Sequence, residues 1–274
     1  MKKSLFLLVA LVMVTFGSNT HAAYVTTFEY TLKGTFSSAF LDNGNPLAPT
    51  SSGTVLTWGS PANPQNQRSS LVITNPAPNG LVDTYIGGGS VPNTYWADSI
   101  NMTHNNFPIY APALDNATLQ VQVDLKPYDP SGTALPTQTF TFDIEFEETD
   151  NDGSDENDVF ALLSNYPNFD FYYDVESGNF SPVPTPGYED YFVNVFPSIG
   201  GVLAGLTNPY AGLAGVPVGT IGFTTPENQA TTLGWSFTIS TEPLINGVPE
   251  PSTAILLGAS LLGIAGFGRK IRKS

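Results

Sequence analysis

The chain contains no cysteine and only two histidines, and these absences exclude several kinds of site. Disulfides, thiolate metal centres and cysteine nucleophiles all require a thiol. His21 lies in the N-terminal leader described below, so His104 is the one imidazole in the rest of the chain. A folded body without disulfides must be held by its core alone, or by its core together with bound ions.

Basic residues are also scarce, and their positions are more informative than their number. Six of the nine lie near the two ends of the chain: Lys2, Lys3, Arg269, Lys270, Arg272 and Lys273. The body between them has three basic residues against 23 acidic ones, a net charge of -20. Binding a phosphate backbone requires Lys and Arg side chains that displace counterions. We therefore exclude nucleic acid as a partner and expect the body to attract cations.

Residues 1–23 have the pattern of a secretory signal peptide. Lys2 and Lys3 form a positive start, an apolar stretch runs from Leu5 to Phe16, and Ala22 and Ala23 offer small residues for cleavage. The apolar stretch is too short to span a bilayer comfortably. The sequence predicts an N-terminal signal helix and export through the inner membrane.

The C-terminal end has three consecutive parts. A short extended motif comes first and consists of Val248, Pro249, Glu250 and Pro251. An uncharged, helix-compatible apolar stretch follows over residues 253–268, and a basic tail of Arg269, Lys270, Arg272 and Lys273 ends the chain. Such a tail acts as a stop signal that stays on the cytoplasmic side. We expect a transmembrane helix here, with the motif held exposed by its two prolines.

These three parts in this order resemble the PEP-CTERM sorting signal of Gram-negative bacteria. The resemblance implies recognition by an exosortase, a membrane-embedded protease or transpeptidase, with cleavage near Pro249-Glu250-Pro251. It also implies that the inner membrane holds the protein only transiently, before release to the cell envelope or the outside. The sequence thus divides into a signal peptide (1–23), an extracellular domain (24–246) and a sorting signal (247–274).

Hydrophobicity in the body alternates with a period of two residues. Apolar side chains recur at every second position over 119–125, 140–146 and 233–239, with polar residues between them. This pattern is typical of half-buried antiparallel strands, and the 26 glycines and 23 prolines supply the turns. We predict an all-β fold, an antiparallel β-sandwich of jelly-roll-like type.

The body also carries a short polar motif, Thr103-His104-Asn105-Asn106, after a strand-like stretch. With the segments over residues 53–59 and 69–73, this motif resembles the THxN family of PEP-CTERM proteins, whose name reflects Thr103, His104 and Asn106. Three roles for His104 remain open: ordering a turn, binding a ligand or metal, and catalysis. No G-x-S-x-G elbow supports a catalytic triad, so we expect no enzymatic activity.

A run of acidic residues between Glu145 and Asp158 is the second candidate site. Hard cations such as Ca²⁺ take six to eight oxygen ligands, and alternate oxygens occur at Asp150, Asp152, Ser154, Glu156 and Asp158. The run lacks the final glutamate and the flanking helices of an EF-hand. It is therefore interpreted either as a looser calcium loop between strands or as a solvated acidic connection.

Aromatic residues beside carboxylates form the third candidate, at Phe169, Phe171, Tyr172, Tyr173, Tyr188, Tyr191 and Phe192. Such residues bind sugars by stacking, or they simply pack a β core. We expect a non-enzymatic surface or extracellular-matrix protein, and the sorting signal implies an association with exopolysaccharide and biofilm. The alternative is a carbohydrate-binding module, either with or without a requirement for calcium.

Overall fold

The computed structural model describes residues 24–87, 91–149, 157–163, 168–197 and 202–243. It has sixteen strands in chain order: β1 Thr27–Leu41, β2 Val55–Trp58, β3 Ser60–Pro61, β4 Ser69–Thr74, β5 Gly80–Tyr85, β6 Ala97–Asn105, β7 Ile109–Tyr110, β8 Leu114–Asp129, β9 Gln138–Glu147, β10 Asn157–Leu162, β11 Asn168–Asp174, β12 Asn179–Ser181, β13 Glu189–Pro197, β14 Ala204–Gly205, β15 Ile221–Pro226 and β16 Ala230–Ser240. The helical elements are short: 3₁₀ turns at Ser51–Gly53 and Asn93–Tyr95, and the one-turn helix α1 at Tyr210–Leu213.

The strands form two layers that share a core. The first layer has the order β5-β1-β8-β9-β10-β15-β14, and the second has the order β12-β11-β13-β16-β6-β4-β2. Rings from the two layers meet between them: Phe28 of β1 lies 5.8 Å from Phe171 of β11, and Phe142 of β9 lies 4.4 Å from Trp235 of β16. The alternation seen in the sequence places one face of β8, β9 and β16 in this core.

The prediction of an all-β fold is confirmed, but the fully antiparallel part of it is wrong. Thr84 and Tyr85 of β5 pair in parallel with Ile239 and Ser240 of β16, so the large sheet is mixed. This parallel contact joins the two layers along one edge. In addition, β8, β9 and β10 pair consecutively as a meander. These strands therefore pair with partners closer in sequence than a jelly-roll arrangement predicts.

The two ends of the layers are clearly distinguishable. At the near end, β1 begins and β5 and β16 finish, because Thr27 pairs with Asp83 and Ser240 pairs with Tyr85. At the far end, β6 finishes beside the start of β16, where Asn105 pairs with Ala230. The eleven residues of β16 separate the two ends by about 35 Å, at roughly 3.3 Å per residue.

The predicted signal helix and the predicted transmembrane helix both lie outside the described residues. Within the ranges that are described, no helix is long and apolar enough to cross a membrane. The expected extracellular domain over residues 24–246 stays a prediction in its boundaries, although the described strands all fall inside it.

Candidate functional site

The motif histidine lies at the far end, inside the core rather than in an exposed turn. His104 is the penultimate residue of β6, and its side chain points between the layers toward Asp158, the second residue of β10. Nε2 of His104 lies 3.5 Å from Oδ2 of Asp158, and both residues are only 1% exposed. Burial lowers the pKa of His104 to about 3, so the ring is neutral near pH 7 and this contact is not an ion pair.

Two aromatic rings hold the imidazole in place. The indole of Trp58, at the end of β2, stacks on the His104 ring with centroids 5.8 Å apart and an angle of 10°. Phe146 of β9 meets the same ring edge-on at 5.0 Å. Neither nitrogen of the imidazole has a hydrogen-bond partner. The ring is therefore oriented by packing alone.

Two carboxyl groups lie near the imidazole: that of Asp158 is buried and that of Glu148 is partly buried. Nε1 of Trp58 donates a hydrogen bond to Oε2 of Glu148 at 3.0 Å, and the backbone N–H of Thr149 donates to Oδ1 of Asp158 at 3.1 Å. Burial raises the pKa of Glu148 to about 7. Burial, followed by repulsion from Glu148, raises the pKa of Asp158 to about 9. Glu227, just after β15, adds to the repulsion on both groups.

The asparagine of the motif faces the same interior. Asn106 directly follows β6 and continues its alternation, so it is buried on the same side as His104, and Thr103 points the other way. Nδ2 of Asn106 donates to the carbonyl oxygen of Thr225 at 2.9 Å, and Asn106 is fully buried. Thr103 instead makes a 2.9 Å hydroxyl contact with Thr232 of β16. We call Trp58, His104, Asn106, Glu148 and Asp158 the buried polar cluster.

Three of these residues follow one pattern. In Asp158, Glu148 and Asn106, a protein group binds one polar atom of the side chain. The other atom lacks a hydrogen bond of good geometry, although the carboxyl groups of Asp158 and Glu148 lie close enough for a hydrogen bond between them to oppose the rise in the pKa of Glu148. The open atoms are Oδ2 of Asp158, Oε1 of Glu148 and Oδ1 of Asn106, and the hydroxyl of Thr225 is also unpartnered. Unsatisfied polar atoms are unusual in a protein interior and cost free energy.

The predicted calcium ligands are only partly described. Asp150, Asp152, Ser154 and Glu156 lie outside the described residues, so the calcium loop stays a prediction. Asp158 is described, and its buried carboxyl group faces His104 rather than solvent. In the described part of the chain, no three His, Asp or Glu side chains already surround one point at metal-binding distance.

The predicted aromatic cluster is mainly part of the core. Phe171, Tyr172, Tyr173 and Tyr191 are all buried, while Phe169, Tyr188 and Phe192 are partly buried. Phe171 and Tyr191 stack on one another with centroids 5.0 Å apart. The structure thus favours core packing for this cluster over a sugar-stacking surface.

A different group of aromatic residues lines an open groove of about 360 Å³ at the near end. Its walls include Thr27, Leu81, Asp83, Tyr95, Trp96 and Tyr128. Tyr128 is 56% exposed, and Tyr95 and Trp96 are partly buried. This groove combines ring faces with a carboxylate and hydroxyl groups, and nothing in the local sequence pattern singled it out.

Sequence reasoning also missed Trp58, Glu148 and Thr225 as neighbours of His104. Trp58 lies in one of the segments that carry the family resemblance, and Glu148 lies in the acidic run. Their meeting with His104 depends on contacts between the two layers, which no local pattern encodes.

Comparison with known proteins adds information on the C-terminal end. A family model described as the PEP-CTERM protein-sorting motif matches residues 247–273. A search of curated proteins found no match to the chain. The motif implies export, a transient membrane anchor and processing by an exosortase. The sorting residues Val248, Pro249, Glu250 and Pro251 and the basic tail lie outside the described residues, so their individual roles stay predictions.

Proposed function

We propose that this chain, which carries a PEP-CTERM sorting motif, is a non-enzymatic protein of the cell envelope or extracellular matrix, associated with exopolysaccharide, and a THxN-family protein. The observation that carries the proposal is the motif over residues 247–273. An exosortase would release the body from the membrane by cleavage near Pro249-Glu250-Pro251. The two-layered β domain would then act by binding or by assembly rather than by chemistry.

The positions of the chain ends support processing of this kind. The first and the last described residues both lie at the near end of the layers. The backbone N–H of Thr26 donates a hydrogen bond to the carbonyl oxygen of Asp129, and the backbone N–H of Thr241 donates to the carbonyl oxygen of Tyr85. Glu242 is close enough to Tyr24 to contribute to its raised pKa, whose largest cause is burial. Loss of a leader before Tyr24 and of a tail after Glu242 would leave every described strand intact.

The environment of His104 supports a non-enzymatic role. A general base must reach the proton that it abstracts, directly or through one water molecule. His104 is 1% exposed, lies between Trp58 and Phe146, and remains neutral to low pH. No substrate can reach this ring without opening the far end of the core.

The direct test is mass spectrometry of the protein recovered from an exosortase-positive host. We expect a C-terminus near Pro249, and retention of the full tail in a host that lacks the exosortase. Glu250→Ala in the sorting motif should slow processing, and Glu176→Ala, at an exposed position of the β domain, is the matched control. A C-terminus that reaches Ser274 in the competent host would contradict the proposal.

A carbohydrate-binding module is the second candidate, and the near-end groove favours it. Sugars present polar edges and apolar faces, which match ring faces beside Asp83 and Thr27. The strongly acidic body favours a neutral polysaccharide over an anionic one. Calcium dependence would come from the acidic run rather than from the groove.

Affinity electrophoresis in gels that contain neutral polysaccharides tests this candidate. We expect Tyr128→Ala to lose the retardation, because it removes the most exposed ring of the groove. Tyr110→Ala is the matched control, since Tyr110 is 67% exposed but lies outside the groove. Gels run with calcium and gels run with a chelator separate a calcium requirement from the stacking contact. Equal retardation of Tyr128→Ala and Tyr110→Ala would contradict this candidate function.

A further inference from the structure

We propose that the buried polar cluster binds one first-row divalent metal ion, such as Zn²⁺ or Mn²⁺. The ligands are Nε2 of His104 and Oδ2 of Asp158, completed by Oε1 of Glu148 and Oδ1 of Asn106. This site differs from the predicted calcium loop, with which it shares only Asp158. It also goes beyond the proposed function, because neither sorting nor association with exopolysaccharide requires a metal.

The first support is the open atoms of the cluster. His104 is 1% exposed and Asn106 is fully buried, yet both ring nitrogens and Oδ1 of Asn106 lack any hydrogen-bond partner. Buried polar groups in proteins are nearly always satisfied, and an ion is one of the standard reasons for an exception. A cation at this point would satisfy several open atoms at once.

The second support is the way the side chains are held. Trp58 fixes one oxygen of Glu148, Thr149 fixes one oxygen of Asp158, and the Thr225 carbonyl fixes the amide nitrogen of Asn106. Metal sites commonly hold each ligand through a hydrogen bond to its non-ligating atom. The same arrangement recurs here in three side chains at three strand ends: Asn106 follows β6, Glu148 follows β9, and Asp158 is the second residue of β10.

The third support is distance. Nε2 of His104 and Oδ2 of Asp158 are 3.5 Å apart. Two ligands at about 2.0–2.2 Å from a tetrahedral ion are roughly 3.4 Å from each other. The described His, Asp and Glu side chains do not yet place a third ligand at that point, so metal binding requires the Glu148 carboxylate to turn toward His104.

Charge and ligand type indicate which metal fits. The three basic residues of the body are engaged or placed elsewhere: Nε of Arg68 donates to the Gly59 carbonyl, Lys126 lies 4.0 Å from Glu29, and Lys33 pairs with Gln122 on β8. A divalent cation would displace the protons of the two carboxyl groups into solvent and neutralise the carboxylates that result. Imidazole with carboxylate ligands suits first-row transition metals, whereas Ca²⁺ prefers oxygen ligands alone.

The experiment uses the exported protein, purified without chelators and then dialysed against ZnCl₂. We expect one tightly bound Zn²⁺ per chain by elemental analysis and a rise of several degrees in melting temperature. Co²⁺ in place of Zn²⁺ should quench the fluorescence of Trp58, whose ring stacks on His104. Multiple weak Zn²⁺ ions with no tight equivalent, or tighter binding of Ca²⁺ than of Zn²⁺, would overturn the proposal.

The matched variants separate the cluster from the acidic surface. His104→Gln keeps every carboxylate and should weaken Zn²⁺ binding at least about tenfold. Glu148→Gln should also weaken it, which keeps the test decisive if His104→Gln does not fold. Asp98→Asn removes an exposed carboxylate of β6 and should bind as the wild type does. Equal Zn²⁺ affinity in all three variants would assign the metal to surface acids and reject the site.

Discussion

The two ends of the β layers present polar groups in opposite ways. At the near end, Asp83, Thr94 and Tyr128 face an open groove and remain exposed to water. At the far end, His104 and Asp158 face each other inside the core, and the partly buried Glu148 interacts with Asp158 beside them. β9, which ends at the far end, alternates in the same way as β1 and β5, which meet at the near end. The difference is therefore one of placement rather than of composition.

This difference determines which end carries an energetic cost. Exposed polar groups keep their hydration and cost little, whereas buried carboxyl groups must be neutralised or paired. The far end is therefore where substitutions and pH should affect stability, and the near end is where substitutions should affect binding.

The largest expected effect comes from comparing two tryptophans, one at each end. Trp58→Ala would remove a 1% exposed ring that contacts His104 and Phe146, together with the hydrogen bond to Glu148. We expect a loss of about 3–5 kcal/mol in the free energy of unfolding. Trp96→Ala, in the groove wall, should cost about 1 kcal/mol. Chemical denaturation of both variants measures the difference, and equal losses would remove the distinction between the ends.

The second prediction is that stability falls as pH rises from about 6.5 to 9. The pKa of Asp158 is raised from 3.8 to about 9 and that of Glu148 from 4.5 to about 7, so the folded chain holds protons that the unfolded chain has lost. Stability therefore decreases through this range. We expect a loss on the order of a few kcal/mol, or roughly 5–10 °C in melting temperature. The measurement is thermal melting in buffers that contain a chelator.

The histidine acts in the opposite direction, and only at lower pH. Its pKa falls from 6.5 to about 3 on folding, so the unfolded chain binds the extra proton and this group alone lowers stability below about pH 6.5. Because Glu148 and Asp158 both hold extra protons in the folded chain there, the histidine offsets only part of their slope. Ordinary exposed carboxyl groups are already ionised above that pH and add no slope. Asp158→Asn should therefore flatten the profile above pH 6.5. A wild-type profile that is flat or rising from 6.5 to 9 would contradict the burial of these acids.

Much of the fold was predictable because alternation is a local property. The strands over 119–125, 140–146 and 233–239 lie inside β8, β9 and β16, as the pattern indicated. The same alternation places His104 and Asn106 on one face with Met102. The parallel contact between β5 and β16 was not predictable, since it joins segments about 155 residues apart that carry no common signal.

The buried polar cluster was harder to predict, and Asp158 shows why. It ends a strongly acidic run, which favours a solvated loop, yet it begins a strand that is buried on both faces. Phe160 and Leu162 share its face in the main core, while Val159 and Ala161 pack on the other side near α1. The apolar run after Asp158 was the available signal for a covered strand. His104 becomes a neighbour of Asp158 only when the two layers pack against each other in the folded domain.

The smallest expected effects lie within the motif itself, where alternation gives neighbouring residues opposite roles. Asn106→Ala would leave the buried Thr225 carbonyl without its donor, and we expect a loss of about 1–3 kcal/mol in the free energy of unfolding. Thr103→Ala would lose only a partly exposed hydroxyl contact with Thr232, at a cost of about 0.5 kcal/mol. Denaturation of both variants in parallel gives the ratio. If Thr103→Ala cost as much as Asn106→Ala, the inward face of the motif would not be what stabilises the far end.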